Sequence, residues 1–261
     1  MSRLHAVSNV SAVADPFFGR LLQGLSQHAT VKVTQLTREL VPPMLGLAIH
    51  MADVGWVCGL MHVCEQAEGG WPYEALAAPV MAPRRYERQP CYFGDVVVSV
   101  DSHANSLADA LHGRFVMNEP ESLSGHVMVT DELRSGRYTS TELADAVLSG
   151  SHTNSLRHVA ADPTAYACID STVVDMLRSR RHPILDEIKV VASLGPYPAP
   201  PFVVRRGISL ELRWELLRAI KSFVASPAGR KLLYSWNVAD IVQVDDSEYD
   251  VLRRAALTKL S

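Results

Sequence analysis

The feature that most constrains this chain is a regular alternation of short strand-like runs with helical stretches. Residues 4–10 alternate as a strand. "DPFFGRLLQGLSQHA" then sets Phe17, Leu21, Leu22 and Leu25 at helical spacing, with Asp15 as a cap and Pro16 in the first turn. Residues 31–37 form the next strand, "PPMLGLAIHMA" a helix opened by prolines, and "DVGWVCG" a strand ending in Gly59. The helix "LMHVCEQAEG" and the strand "YEALAAPVMAP" complete a βαβαβαβ series, which implies an open, largely parallel sheet with helices on its faces.

The rhythm breaks at "RRYERQPCYFGDVVVSVDS", where a charged, proline-containing link feeds a long β-branched strand. A second α/β series then restarts through "SLADALHG", "GRFVMN", a helix from Ser124, "AVLSG", "NSLRHVAAD", "AYACID" and "STVVDMLRSR". "IKVVASLGPYPAPPFVVRRG" returns as two extended pieces around a proline elbow. Two helices end the series, with Leu210, Trp214, Leu217 and Ile220 forming one stripe. The order predicts an α/β chain of two lobes, residues 1–88 plus 208–261 and residues 89–207. Two extended crossovers near residues 84–92 and 202–208 would join them.

Composition narrows the function. A net charge of -3 with only short basic clusters speaks against nucleic acid as a partner. No apolar run approaches the roughly twenty residues of a membrane span, so membrane insertion is not expected. The first residues lack a basic region followed by an apolar one, which reads as cytoplasmic, or as periplasmic if a leader has been removed. Cys58, Cys64, Cys91 and Cys168 have neither zinc-site nor disulfide-framework spacing, and no metal or cofactor is expected.

In open α/β sheets ligands bind beyond the carboxyl ends of strands, so the residues there are the candidates. They are Gly59 and His62 after "DVGWVC", Ser122, Ser124, Gly125 and His126 in "EPESLSGH", Ser151 and His152 after "AVLSG", and Asp170 after "AYACI". Helix N-termini carry free N–H groups and partial positive charge, and serine hydroxyls and a histidine add donors. That chemistry suits a compact oxyanion, with Asp170 meeting a cationic or hydroxylated group. The plainer alternative stands beside it: Ser122, Ser124 and Ser151 can each be an N-cap, and Asp170 can cap "STVVDML".

Four segments, "LADALHGRFVMNEPESLSGH", "SGSHTNSLRHVA", "AYACIDSTVVDML" and "PYPAPPFVVRRG", occur in one order with characteristic gaps. In this the chain resembles the phosphate/phosphite/phosphonate solute-binding family of ABC transporters, across residues 4–249. The resemblance implies the type 2 periplasmic-binding-protein fold, with two crossover strands as hinge. It implies capture of a small anion by closure of the lobes and an ABC transporter permease as partner. It points to Ser122, Ser124 and nearby amides as the anion cradle, Gly150, Ser151 and His152 as the next contact, and Asp170 facing an amino end. Tyr92 would be the aromatic beside the hinge.

Where that family often carries a Ser-Thr hydroxyl pair, Leu123 follows Ser122, which leaves room for a carboxylate or another small anion. Cytoplasmic enzymes of the same fold supply the alternative function, acting on a small carboxylate or phosphate-bearing metabolite. Cys58, His62, His126, His152 and Asp170 would be their candidate catalytic groups. Solute binding ranks ahead of catalysis.

Overall fold

The computed structural model describes residues 3–10, 14–28, 32–35, 52–135, 137 and 145–253. The predicted helix "PPMLGLAIHMA" lies almost wholly outside them. The described residues divide into two compact units, the first running up to Cys91 and again from Pro198 to Arg253, the second Tyr92–Tyr197.

The first unit holds a six-stranded sheet. Its elements are β1 (Arg3–Asn9), α1 (Asp15–His28), β2 (Lys32–Gln35), β3 (Val54–Val57), α2 (Gly59–Ala67) and β4 (Tyr73–Met81). β1 pairs in parallel with β2 and β3, as the βαβ series predicts. α1 lays Phe17, Phe18, Leu21, Leu22 and Leu25 onto the sheet, and its rings meet Trp56 at 5.6 and 6.1 Å.

Two later strands enter this sheet. Phe202–Arg205, the start of the second predicted crossover, lies between β3 and β4, antiparallel to both. The cause is burial: Phe202, Val203 and Val204 are all buried, and only the sheet interior offers them apolar cover on both faces. Val238–Gln243, to which the alternation assigns no strand, pairs antiparallel with β4.

The second unit is built from β5 (Cys91–Ser99), α3 (Leu107–Ala110), β6 (Arg114–Met117), α4 (Met128–Arg134), β7 (Val147–Leu148), α5 (His152–Ala161), β8 (Ala165–Asp170), α6 (Ser171–Ser179) and β9 (Ile188–Pro198). Its sheet runs β7-β6-β8-β5-β9, with β6 parallel to β7 and β8, and β5 antiparallel to β8. Val97, Val116, Leu156, Val159, Ile169 and Val174 close its core. The carboxyl ends of β7, β6 and β8 therefore share one edge of the sheet, beside the start of β5.

β10 (Phe202–Arg205) precedes α7 (Leu210–Ala225), α8 (Pro227–Ser235) and β11 (Val238–Gln243). The stripe read as one apolar face of α7 divides in two. Leu216, Ala219, Ile220 and Phe223 face the core, whereas Leu210 and Trp214 are 68% and 53% exposed. The reason is angular: on a 3.6-residue helix the buried side is centred near Leu216 and Phe223, and Leu210 and Trp214 lie roughly 130–170° around from it.

Candidate functional site

After β6 the chain makes a tight turn in which Ser122 N donates to the Glu119 carbonyl. Ser122 then caps a π-helical turn, Leu123–Val127, its hydroxyl accepting from Gly125 N at 3.1 Å, and α4 follows directly. Gly125 is required by close approach: a Cβ there would sit 1.7 Å from Asn118 Oδ1. His126 donates from Nδ1 to the Pro120 carbonyl at 2.7 Å and stacks on Phe115, so its ring shapes the loop. Leu123 is buried and contributes no donor.

The loop after β7 is tied to this one. Gly150, at φ 78 in the left-handed region that glycine enters freely, donates its N–H to the Asn118 carbonyl at 2.9 Å. Ser151 caps α5 by accepting from Asn154 N. His152 opens α5, and its Nε2 lies 3.3 Å from Ser124 Oγ. Burial lowers the His152 pKa to about 4, so the ring is neutral at ordinary pH. Its Nδ1 is covered and has no partner among the described residues, as is true of Asn118 Oδ1.

The third loop follows β8. Asp170 caps α6, accepting from Thr172 N at 2.7 Å. Burial raises its pKa to about 6; the Thr172 hydrogen bonds oppose this, and the carboxylates of Asp95 and Asp175 add to it. Gly94 lies opposite Asp170 in the β5–β8 register, and Phe93 N donates to Ser171 Oγ. Tyr92, buried, precedes them on β5. Ser122, Ser151 and Asp170 are thus N-caps, as the plainer reading held, while Ser124 is not. Capping does not exhaust a serine: a hydroxyl that accepts from an N–H still has its own O–H to donate.

Gly59, His62 and Cys58 belong to the first unit. His62 is fully buried, accepts from Trp71 Nε1 at Nδ1 (2.8 Å) and reaches Asp246 Oδ1 through Nε2 (2.9 Å). With both nitrogens engaged, its ring serves the core and leaves no nitrogen for a ligand. Gly59 starts α2, buried against Leu252 and Tyr249. Cys58 stands at the N-cap of α2, and its side chain makes no capping hydrogen bond. The fully buried Cys168 has its thiol pKa pushed well up by burial, which makes it a poor nucleophile.

Two residues went unread in the sequence. Asn118 directly follows the apolar run of β6, and Asp95, fully buried on β5, accepts from Ser193 Oγ at 2.7 Å. A charge inside "FGDVVVSV" was the available signal for Asp95. No group of three or more histidine, cysteine or acidic side chains fit to hold a metal occurs among the described residues. A surface groove of about 400 Å³, lined by His103, Asp109 and His112, lies at the opposite edge of the second sheet from the serine loops.

Two α/β units whose sheets and helices match type 2 periplasmic binding proteins define the class. The structure aligns with a binding-protein component of an ABC phosphonate transporter from Pseudomonas aeruginosa at TM-score 0.78 and 19% identity, covering 99% of this chain and 87% of that one. A Prochlorococcus marinus (MIT 9301) protein solved with methylphosphonate aligns at TM-score 0.77 and 16% identity, covering 98% of each. A Xanthomonas citri protein bound to chloride aligns at TM-score 0.67 and 16% identity, covering 100% of this chain and 99% of that one. No curated protein matches the sequence. The family profile for the periplasmic substrate-binding protein of phosphonate ABC transporters matches residues 20–249, and the chain belongs to that family. No helix among the described residues is long and apolar enough to cross a membrane.

Proposed function

We propose that the chain captures a small phosphonate- or phosphate-like anion on the cradle of its second unit and presents it to an ABC transporter permease. The observation that carries this reading is the meeting of Ser124 and His152 at 3.3 Å, where two helix N-termini come together and the histidine is left one hydrogen bond short. Ser122 and Ser151 hydroxyls and the amides of both turns supply further donors, and a neutral His152 adds its own without the cost of burying a charge. Asp170 receives the polar or cationic far end of the ligand, and Tyr92 flanks it. With Leu123 buried, the cradle has one hydroxyl fewer than a Ser-Thr pair would give.

Calorimetric titration with methylphosphonate, phosphate, methanesulfonate and acetate tests the reading. Methylphosphonate or phosphate is expected to bind best, and Ser124→Ala to lose about 1.5–3 kcal/mol of that affinity. Mass spectrometry of the recovered ligand separates capture from turnover, with an unchanged mass expected. Preference for acetate, or wild-type affinity in Ser124→Ala, would overturn the assignment.

A further inference from the structure

The outer face of α7 exposes two large apolar side chains flanked by charges of both signs. Leu210 and Trp214 stand exposed one helical turn apart, while the opposite face of the same helix packs on the core. Of the charges on this helix, Arg213 pairs with Glu74 and Glu215 is half-buried, which leaves Glu211 in the first turn and Arg218 and Lys221 further on as the exposed ones. Neither Arg218 nor Lys221 has a partner among the described residues. We propose that this face is a self-association surface, covered by α7 of a second copy of the chain packed antiparallel about a twofold axis close to Trp214.

The geometry follows from helix periodicity. Glu211 and Arg218 are seven residues apart, so they lie on nearly the same side of the helix, separated by about 10 Å along its axis. Two antiparallel helices related by a dyad bring residues on the same flank opposite each other. With the dyad midway between Glu211 and Arg218, Glu211 of each copy meets Arg218 of the other. Both Trp214 rings then stack near the axis, with Leu210 beside them. Glu211, which takes part in a hydrogen bond with Ser209 within its own first turn, keeps a second oxygen to accept from the arginine.

The mixed signs decide between occupants. A lipid surface would call for basic residues around the apolar ones, and an apolar peptide would ask for no charge order at all. Acid at one end and base at the other is self-complementary. A single helix pair buries less than a standard interface, so the association is weak and concentration-dependent. Charge pairing at its rim also makes it salt-sensitive.

Sedimentation velocity of the full chain over a concentration series provides the test, with thermal unfolding as the control for folding. Wild type is expected to show a reversible monomer–dimer equilibrium, which Trp214→Glu shifts to monomer. Arg218→Glu alone faces acid with acid, and Glu211→Arg alone faces base with base, so each is expected to be monomeric. An equimolar mixture of those two variants restores both ion pairs and is expected to form the dimer again. A wild type that stays monomeric, a dimer indifferent to Trp214→Glu, or variants that do not rescue each other would overturn the proposal. So would a monomeric wild type that binds anionic phospholipid vesicles through Trp214.

Discussion

His62 and His152 both sit near the start of a helix that follows a strand, one in each unit, and the structure treats them oppositely. His62 has a donor at one ring nitrogen and a carboxylate at the other, with Tyr249 and Trp71 edge-on around it. His152 has one serine at 3.3 Å and a covered nitrogen with no partner among the described residues. A buried polar group with a full set of hydrogen bonds stabilises the fold, whereas one left short is costly unless something else completes it. The comparison sets a histidine whose two nitrogens are both engaged in its own unit against one with an unmet nitrogen, which the proposed anion cradle would use.

The largest effect is expected at His62. His62→Ala leaves the Trp71 N–H without its acceptor and strips Asp246 of its ring partner, at a cost of about 3 kcal/mol in urea unfolding. The folded fraction should still bind methylphosphonate normally. If the variant kept wild-type stability and lost binding, the two histidines would have exchanged roles. The partner carboxylate gives this network a pH signature. Burial alone would raise the Asp246 pKa, but the His62 ring, the Ala75 N–H and Arg206 outweigh it and hold the value at about 2. Its contribution to stability is therefore complete above the ordinary carboxylate pKa and is lost as pH falls from about 4 through about 2.

His152→Phe should give the mirror image. Removing a ring that lacks one hydrogen bond should change stability by less than about 1 kcal/mol, while methylphosphonate affinity falls by about 1.5–3 kcal/mol in calorimetry. Gly125→Ala sharpens the picture by moving the cradle without touching its donors. The added methyl meets the Asn118 side chain and should cost about 1–3 kcal/mol of stability, most of it recovered in the Gly125→Ala, Asn118→Ala double variant.

The last effect is read against pH and concerns Asp170. Its folded pKa of about 6 lies above the ordinary carboxylate value, so the folded chain holds a proton that the unfolded chain releases between about 4 and 6. Stability of the ligand-free protein should decline as pH rises through that window. Affinity for an amine-bearing phosphonate should rise over the same window as the carboxylate ionises. Asp170→Asn, which keeps an acceptor for the Thr172 N–H, should flatten both profiles.

Much of this was legible from the sequence because strands, helix starts and caps are local. "EPESLSGH" and "GSH" announced helix N-termini after strands, and the structure places capping residues at Ser122 and Ser151. Pairing between distant segments was not legible. Phe202–Arg205 reads as an extended stretch of a crossover, and its partners β3 and β4 on either side show only in the fold. His62 and His152 look alike in one dimension, since Asp246, which separates their roles, lies 184 residues from His62. The face that α7 turns outward is likewise set by which neighbours cover it.

The most direct measurement is nitrogen NMR of the histidine rings during a methylphosphonate titration. The ring nitrogens of His152 should shift on saturation, together with the backbone amides of Gly125 and Ser151, while those of His62 stay in place. Unmoved His152 resonances, or a response centred on His62, would contradict the claim that the second unit's serine loops and His152 hold the anion.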